Sequence, residues 1–189
     1  MYTNPSNLIN TLINLLDKNA MRINRVIQAY EPSRGLNVYK GMRRTLPADA
    51  YPSLEIEPDV GANEWATTRS QRPRYTFRCT LTTKTDNENY GVEYISTIAT
   101  VLLEIMTSPE NLQMKVLGET KWDPNGGLVD TYMLDSLVET ASYSASKSGT
   151  IRTCEFTWFA LINETFPSFM WRTGDASDTP SVIRPIVQV

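Results

Sequence analysis

The chain has no histidine. That removes Ser-His and Cys-His nucleophile pairs and the usual histidine zinc sites. It also removes the one side chain that titrates, unperturbed, near neutral pH. Cysteine is nearly as scarce. Cys79 and Cys154 are the two in 189 residues, too few for a disulfide framework. No apolar run approaches the ~18 residues of a membrane span. The opening Met1-Tyr2-Thr3-Asn4-Pro5 lacks the charged start and apolar stretch of a secretory signal, so none is expected. There is no Gly-x-Gly-x-x-Gly and no phosphate-binding Gly-Lys-Ser/Thr loop. The net charge of -3 gives no global basic footprint for nucleic acid. Carboxylate, lysine and magnesium chemistry survive these filters. Nothing in the spacing of the acids selects a catalytic pair, and no catalytic residue, metal or cofactor is expected.

What the chain does have is pattern. Tyr75, Phe77, Cys79 and Leu81 alternate with Arg74, Thr76, Arg78, Thr80 and Thr82, the period of a half-buried strand. After a polar turn, Gly91, Ile95, Ile98, Ala99, Leu102, Ile105 and Met106 fall at helical spacing. A strand thus hands over to an amphipathic helix that can lie back on the sheet. The intervening Asp86-Asn87-Glu88-Asn89-Tyr90-Gly91 opens like a calcium loop. Tyr90 sits where an oxygen ligand is wanted and Thr97 replaces the closing glutamate, so a turn capping the helix is the better reading.

At the N-terminus, Asn4 and Pro5 start a helix in which Leu8, Leu12, Leu15 and Leu16 share a face. Ile23, Ile27 and Tyr30 continue it past a weak spot at Asp17-Lys18-Asn19. The pattern predicts one long or broken helix over 5–29. Residues 31–73 read as an irregular strand and loop segment. It holds a short strand near Leu36–Tyr39 and a better one over Tyr51–Pro58, whose prolines mark an edge strand or clean strand ends. Leu112–Leu117 suits a strand. Leu128–Ala141 is ambiguous. In Thr150–Asn163, Cys154, Phe156, Trp158, Ala160 and Ile162 share one face of a long strand. The fold class expected is α+β: a mostly antiparallel sheet with helices packed on one face, plus an extended C-terminal arm. Residues 1–166 would form the domain and 167–189 the arm. Both cysteines fall on apolar strand faces, which predicts buried thiols.

Two basic clusters stand out, Lys40 with Arg43 and Arg44, and Arg69 with Arg72 and Arg74. They suit phosphate contact, a neighbouring subunit or solvent. In the arm, Phe169, Met170 and Trp171 form an apolar knot, and Val182-Ile183 and Ile186-Val187 flank Arg184-Pro185. Exposed apolar residues of this kind want a partner surface. They pack either on their own domain or, as the favoured expectation, on a neighbouring subunit.

The order of elements resembles the tail-terminator and neck proteins of tailed bacteriophages. The likeness is carried by the helix at Leu8–Leu16, by Leu46-Pro47 and Tyr51–Glu57, by the strand Tyr75–Leu81, by the helix Val92–Met106 and by the late strand Glu155–Phe159. It covers about Pro5–Asn163 and is one of order and pattern. The resemblance implies a structural virion protein of the head-tail connector region, active in tail assembly. It implies a hexameric ring that terminates the tail tube and joins it to the head connector, leaving a channel for DNA. The partners implied are further copies, tail-tube and head-connector proteins, and DNA only in transit; no membrane is involved. Its place would be the virion, assembled in the host cytoplasm. Candidate interface residues are Lys40, Arg43, Arg44, Trp65, Phe169, Trp171, Ile183 and Ile186. Candidate channel residues are Glu55, Glu57 and Asp59. The alternatives are another virion ring, such as a head-completion connector or tail-tube-related subunit, and a small carboxylate-dependent α+β enzyme.

Overall fold

The computed structural model describes residues 3–41, 46–59, 62–67, 70–85, 88–123, 127–146, 150–162 and 164–165. Helix α1 spans Pro5–Lys18. The Asn4 side chain accepts a hydrogen bond from the Ser6 amide, and Pro5 occupies the first turn, where its missing N–H costs nothing. The weak spot is a true break. Asn19 closes α1, its side chain donating to the Leu15 carbonyl, and α2 restarts at Ala20 and runs to Tyr30. Helix α3 spans Glu88–Thr107.

The strands are β1 (Asn37–Lys40), β2 (Ser53–Pro58), β3 (Ala62–Thr67), β4 (Ser70–Lys84), β5 (Lys115–Asp123), β6 (Gly127–Ala145), β7 (Ile151–Ile162) and β8 (Glu164–Thr165). The sheet order is β1-β2-β4-β7-β6-β5, with β3 and β8 each paired to β4. Every pairing is antiparallel except β1 with β2. The class is therefore α+β, as the pattern predicts.

The helices cover one face. Phe77, Cys79 and Leu81 of β4 alternate inward with Cys154, Phe156, Trp158, Ala160 and Ile162 of β7. They meet Ile95, Ile98, Ala99, Leu102, Ile105 and Met106 of α3, and Leu8, Leu12, Leu15 and Leu16 of α1, in one continuous core. Phe77 and Trp158 stack at its centre, ring centroids 5.1 Å apart. Arg22 pairs with Glu104 to tie α2 to α3 at the surface.

Several expectations need correction. Among its described residues, the 31–73 segment contains β1, β2, β3 and the start of β4. β2 and β3 run in succession along one side of β4, from Ser53↔Thr82 to Thr67↔Ser70. β2 is interior, between β1 and β4, so its prolines mark clean strand ends rather than an edge. β5 begins at Lys115, three residues after Leu112, because a short 3-10 turn at Pro109–Asn111 intervenes. The ambiguous Leu128–Ala141 stretch is wholly strand. The arm beyond Thr165 lies outside the described residues.

Candidate assembly surfaces

The face of the sheet away from the helices is built by the residues that alternate with the core. The strand register sets them in rows. Tyr39, Glu55, Thr80, Glu155 and Ser142 lie side by side across five strands. Glu57, Arg78, Thr157 and Glu139 form the next row, then Thr76, Phe159 and Leu137, then Arg74, Leu161 and Asp135. Across β2, the Arg74–Lys84 part of β4, β7 and the β7-paired part of β6, this face carries Glu55, Glu57, Asp135, Glu139 and Glu155 against Arg74, Arg78 and Lys84.

Both arginines are engaged. Arg74 bonds Glu139 at 2.7 Å, and its guanidinium lies 3.7 Å over the Phe159 ring, where the ring's electron-rich face attracts it. Arg78 reaches Glu57 at 3.4 Å. Exposed pairs of this kind add little stability; they hold the side chains in place and leave the surface net acidic.

Of the channel candidates, Glu57 is half-buried and Asp59 exposed just past β2, where its amide bonds the Thr76 carbonyl at 2.7 Å. Glu55 is only 7% exposed, set in its row between Tyr39 and Thr80. Among the interface candidates, Lys40 is exposed at the end of β1 and shares the phase of Val38, so it does not join these carboxylates. Trp65 is in β3, paired with Gln71, and its side chain lies outside the described set. Arg43, Arg44, Phe169, Trp171, Ile183 and Ile186 also lie outside the described residues. Sequence reasoning did not select Glu139 and Asp135. Two bulges in β6, at Met133/Asp135 and Glu139/Ser142, shift its phase, so no single alternation finds its faces.

The sheet's outer strands are treated differently. β5 is capped by α1. Thr11 Oγ1 donates to the Asn7 carbonyl at 2.7 Å and accepts from the Leu117 amide at 2.9 Å. Glu119 Oε1 accepts from the Asn4 amide and the Asn7 side chain, both at 2.8 Å. One edge amide that would template another chain, that of Leu117, is thus satisfied internally, and the Glu119 side chain ties the strand to the start of α1.

Reactive chemistry is buried. Cys79 and Cys154 are free thiols in the core. Burial pushes the Cys79 thiol up to about 12, and burial also raises Cys154. The Tyr94 hydroxyl is raised by burial and by the Glu31 carboxylate it donates to at 3.1 Å. A polar cleft of about 450 Å³ is lined by Ser33, Arg34, Asn37, Asp49 and Tyr51. Its Arg34 is committed to Glu31 at 3.4 Å and to the Tyr51 carbonyl at 2.7 Å. Among the described residues no cluster of three or more acids or cysteines is arranged to hold a metal, and no helix is long and apolar enough to cross a membrane.

No family model matches this chain, and no curated protein matches it. Among solved structures, a chain in the virion of a native gene transfer agent particle is similar at 10% identity and a TM-score of 0.47. The match covers 80% of this chain and 91% of that one. A likeness this distant assigns no function.

Proposed function

We propose that this chain is a structural, non-enzymatic virion subunit that assembles into a ring, most simply a hexamer, at the neck of a phage-like particle. The ring terminates the tail tube and joins it to the head connector. The observation that carries the reading is the wide, helix-free, net-acidic sheet face. A surface of that kind suits the wall of a conduit for DNA, because fixed carboxylates repel phosphates and keep the duplex from sticking. Glu57 and Glu155 are wall residues in this reading, and Asp59 lies at its margin. The resemblance of the element order to tail-terminator proteins is consistent with it. Residues 1–166 are the ring-forming domain in this reading and 167–189 an arm that contacts neighbours.

Ring contacts are heterologous, so each subunit presents two different surfaces. Duplex DNA binding tests the wall. The proposal expects no retention of DNA at physiological salt by the assembled protein. Tight binding that weakens steeply with added salt contradicts it, since that signature needs several lysine or arginine contacts to phosphate.

A further inference from the structure

β6 is covered unevenly. On one side β7 pairs with it from Met133 to Ala145. On the other, β5 reaches only to Tyr132, followed by one bond from the Met133 amide to the Met114 carbonyl. Along Leu134–Ala145 that second side has no strand partner among the described residues. It is an open edge, and it is not apolar on one face alone. On the helix-free face Leu137 is 47% exposed. On the helix face Tyr143 is 54% and Val92 of α3 56% exposed. There a cleft of about 200 Å³ is lined by Val92, Ile95, Tyr143, Ser144, Ala145 and Arg152 of β7. A strand laid on this edge would bury apolar side chains on both of its faces.

The edge also carries Asp135 and Glu139 and no cation of its own, Glu139 being met by Arg74 from β4. Pairing with β6 of another copy would put these acids on one ladder, where like charges oppose it. The fitting occupant is therefore apolar in adjacent pairs, so that one residue of each pair meets each face, and basic in the middle. Ser181-Val182-Ile183-Arg184-Pro185-Ile186-Val187-Gln188 has that form. Pro185 lacks an N–H, which is tolerated in a strand that becomes the new outer edge.

Direction favours another chain's arm, although the open edge begins at the end of the sheet where β7 finishes, with Met133 paired to Ile162. β8 pairs Glu164 with Gln71 and Thr165 with Ser70, beyond the Leu161↔Arg74 pair. The open edge runs the opposite way, towards Ala145↔Arg152. At Thr165 the backbone is heading away from its own edge. The fifteen residues from Phe166 to Pro180 span up to ~50 Å when extended, enough to reach an adjacent molecule and also enough to turn back, and the test below separates the two.

We infer that the open edge of β6, Leu134–Ala145, takes residues 181–188 of a second copy of this chain as an added β-strand, by backbone pairing at a sheet edge. This rests on the self-association in the proposed function, and on nothing about the size or place of the ring.

The test is hydrogen exchange on the full chain, read over peptides covering Leu134–Ala145 at low and high protein concentration. A full-length variant carrying Ile183→Asp and Ile186→Asp is measured alongside. The expected result is exchange slowed by about tenfold or more as concentration rises, with that slowing lost in the variant. Protection that is independent of concentration and lost in the variant overturns the inference, because the chain's own arm then covers the edge. Protection that rises with concentration but survives in the variant overturns it in favour of another occupant. No protection at any concentration overturns it outright. Light scattering on the same samples separates this outcome from the ring. A ring with an unprotected edge sinks the strand exchange alone; a protected edge in a dimer or open chain sinks the ring alone.

Discussion

Replacing Thr11 by Val tests how the sheet's β5 edge is closed. The side chain is buried, and its hydroxyl serves two partners, donating to the Asn7 carbonyl and accepting from the Leu117 amide. Valine keeps the shape and removes both bonds. The Asn7 carbonyl still serves the helix, so its loss is small. Valine offers the Leu117 amide no acceptor in place of the Thr11 hydroxyl. Leaving a part-buried N–H without a partner costs about 1–3 kcal/mol. The added methyl returns part of this, so a net loss of ~1–2 kcal/mol is expected. For a chain of this length that corresponds to a fall in melting temperature of ~2–8 °C. Thr11→Ser keeps the hydroxyl and loses one methyl, and separates the hydrogen bond from packing. The assay is thermal melting with hydrogen exchange at Leu117. The amide should exchange much faster in Thr11→Val and little faster in Thr11→Ser. Equal melting of Thr11→Val and wild type, with the Leu117 amide still protected, refutes the argument.

Cys79→Ser places a hydroxyl in an apolar site and should cost about 1–3 kcal/mol in chemical denaturation; both thiols of the native protein should resist alkylation, and rapid labelling contradicts their burial. The Cys79 thiol rises from 9.0 to about 12 on folding, so its contribution is complete below pH 9 and is lost as pH climbs towards 12, because the unfolded chain alone releases the proton; stability that rises over that window contradicts the assignment. Gly91→Ala should destabilise although alanine favours helix by about 1 kcal/mol, since a Cβ there lies 2.4 Å from Arg152 Nε and 2.9 Å from Thr85 Cγ2; a raised melting temperature would show that Arg152 swings aside freely.

How far the sequence speaks can be read from particular elements. The strand at Tyr75–Leu81 and the helix around Ile95–Met106 are legible because each has one buried face, so burial writes its period directly into the residues. The same holds for β7. The β3–β4 hairpin is not legible. Ala62–Thr67 has no clean alternation, and Pro73 within β4 argues against a strand although it is paired there with Asn63. β6 is obscured differently, by two bulges that slip its phase and by the exposure of both faces near its end. The acidic face follows the same logic. Glu57 belongs to a regular strand and was visible as a candidate, whereas Glu139 and Asp135 take their positions from those bulges. The pairing of Arg74 with Glu139, 65 residues apart, exists only once β4, β7 and β6 are in register.

The central claim is that copies of this chain close into a ring around an acidic conduit. Electron microscopy of the purified full-length protein at high concentration, with tail-tube protein added in a parallel sample, tests it most directly. The account predicts closed rings, six subunits to a ring, with a central opening lined by the sheet face that bears Glu57 and Glu155. Particles that remain monomeric in both samples, or two-fold dimers with that face packed shut, would contradict it.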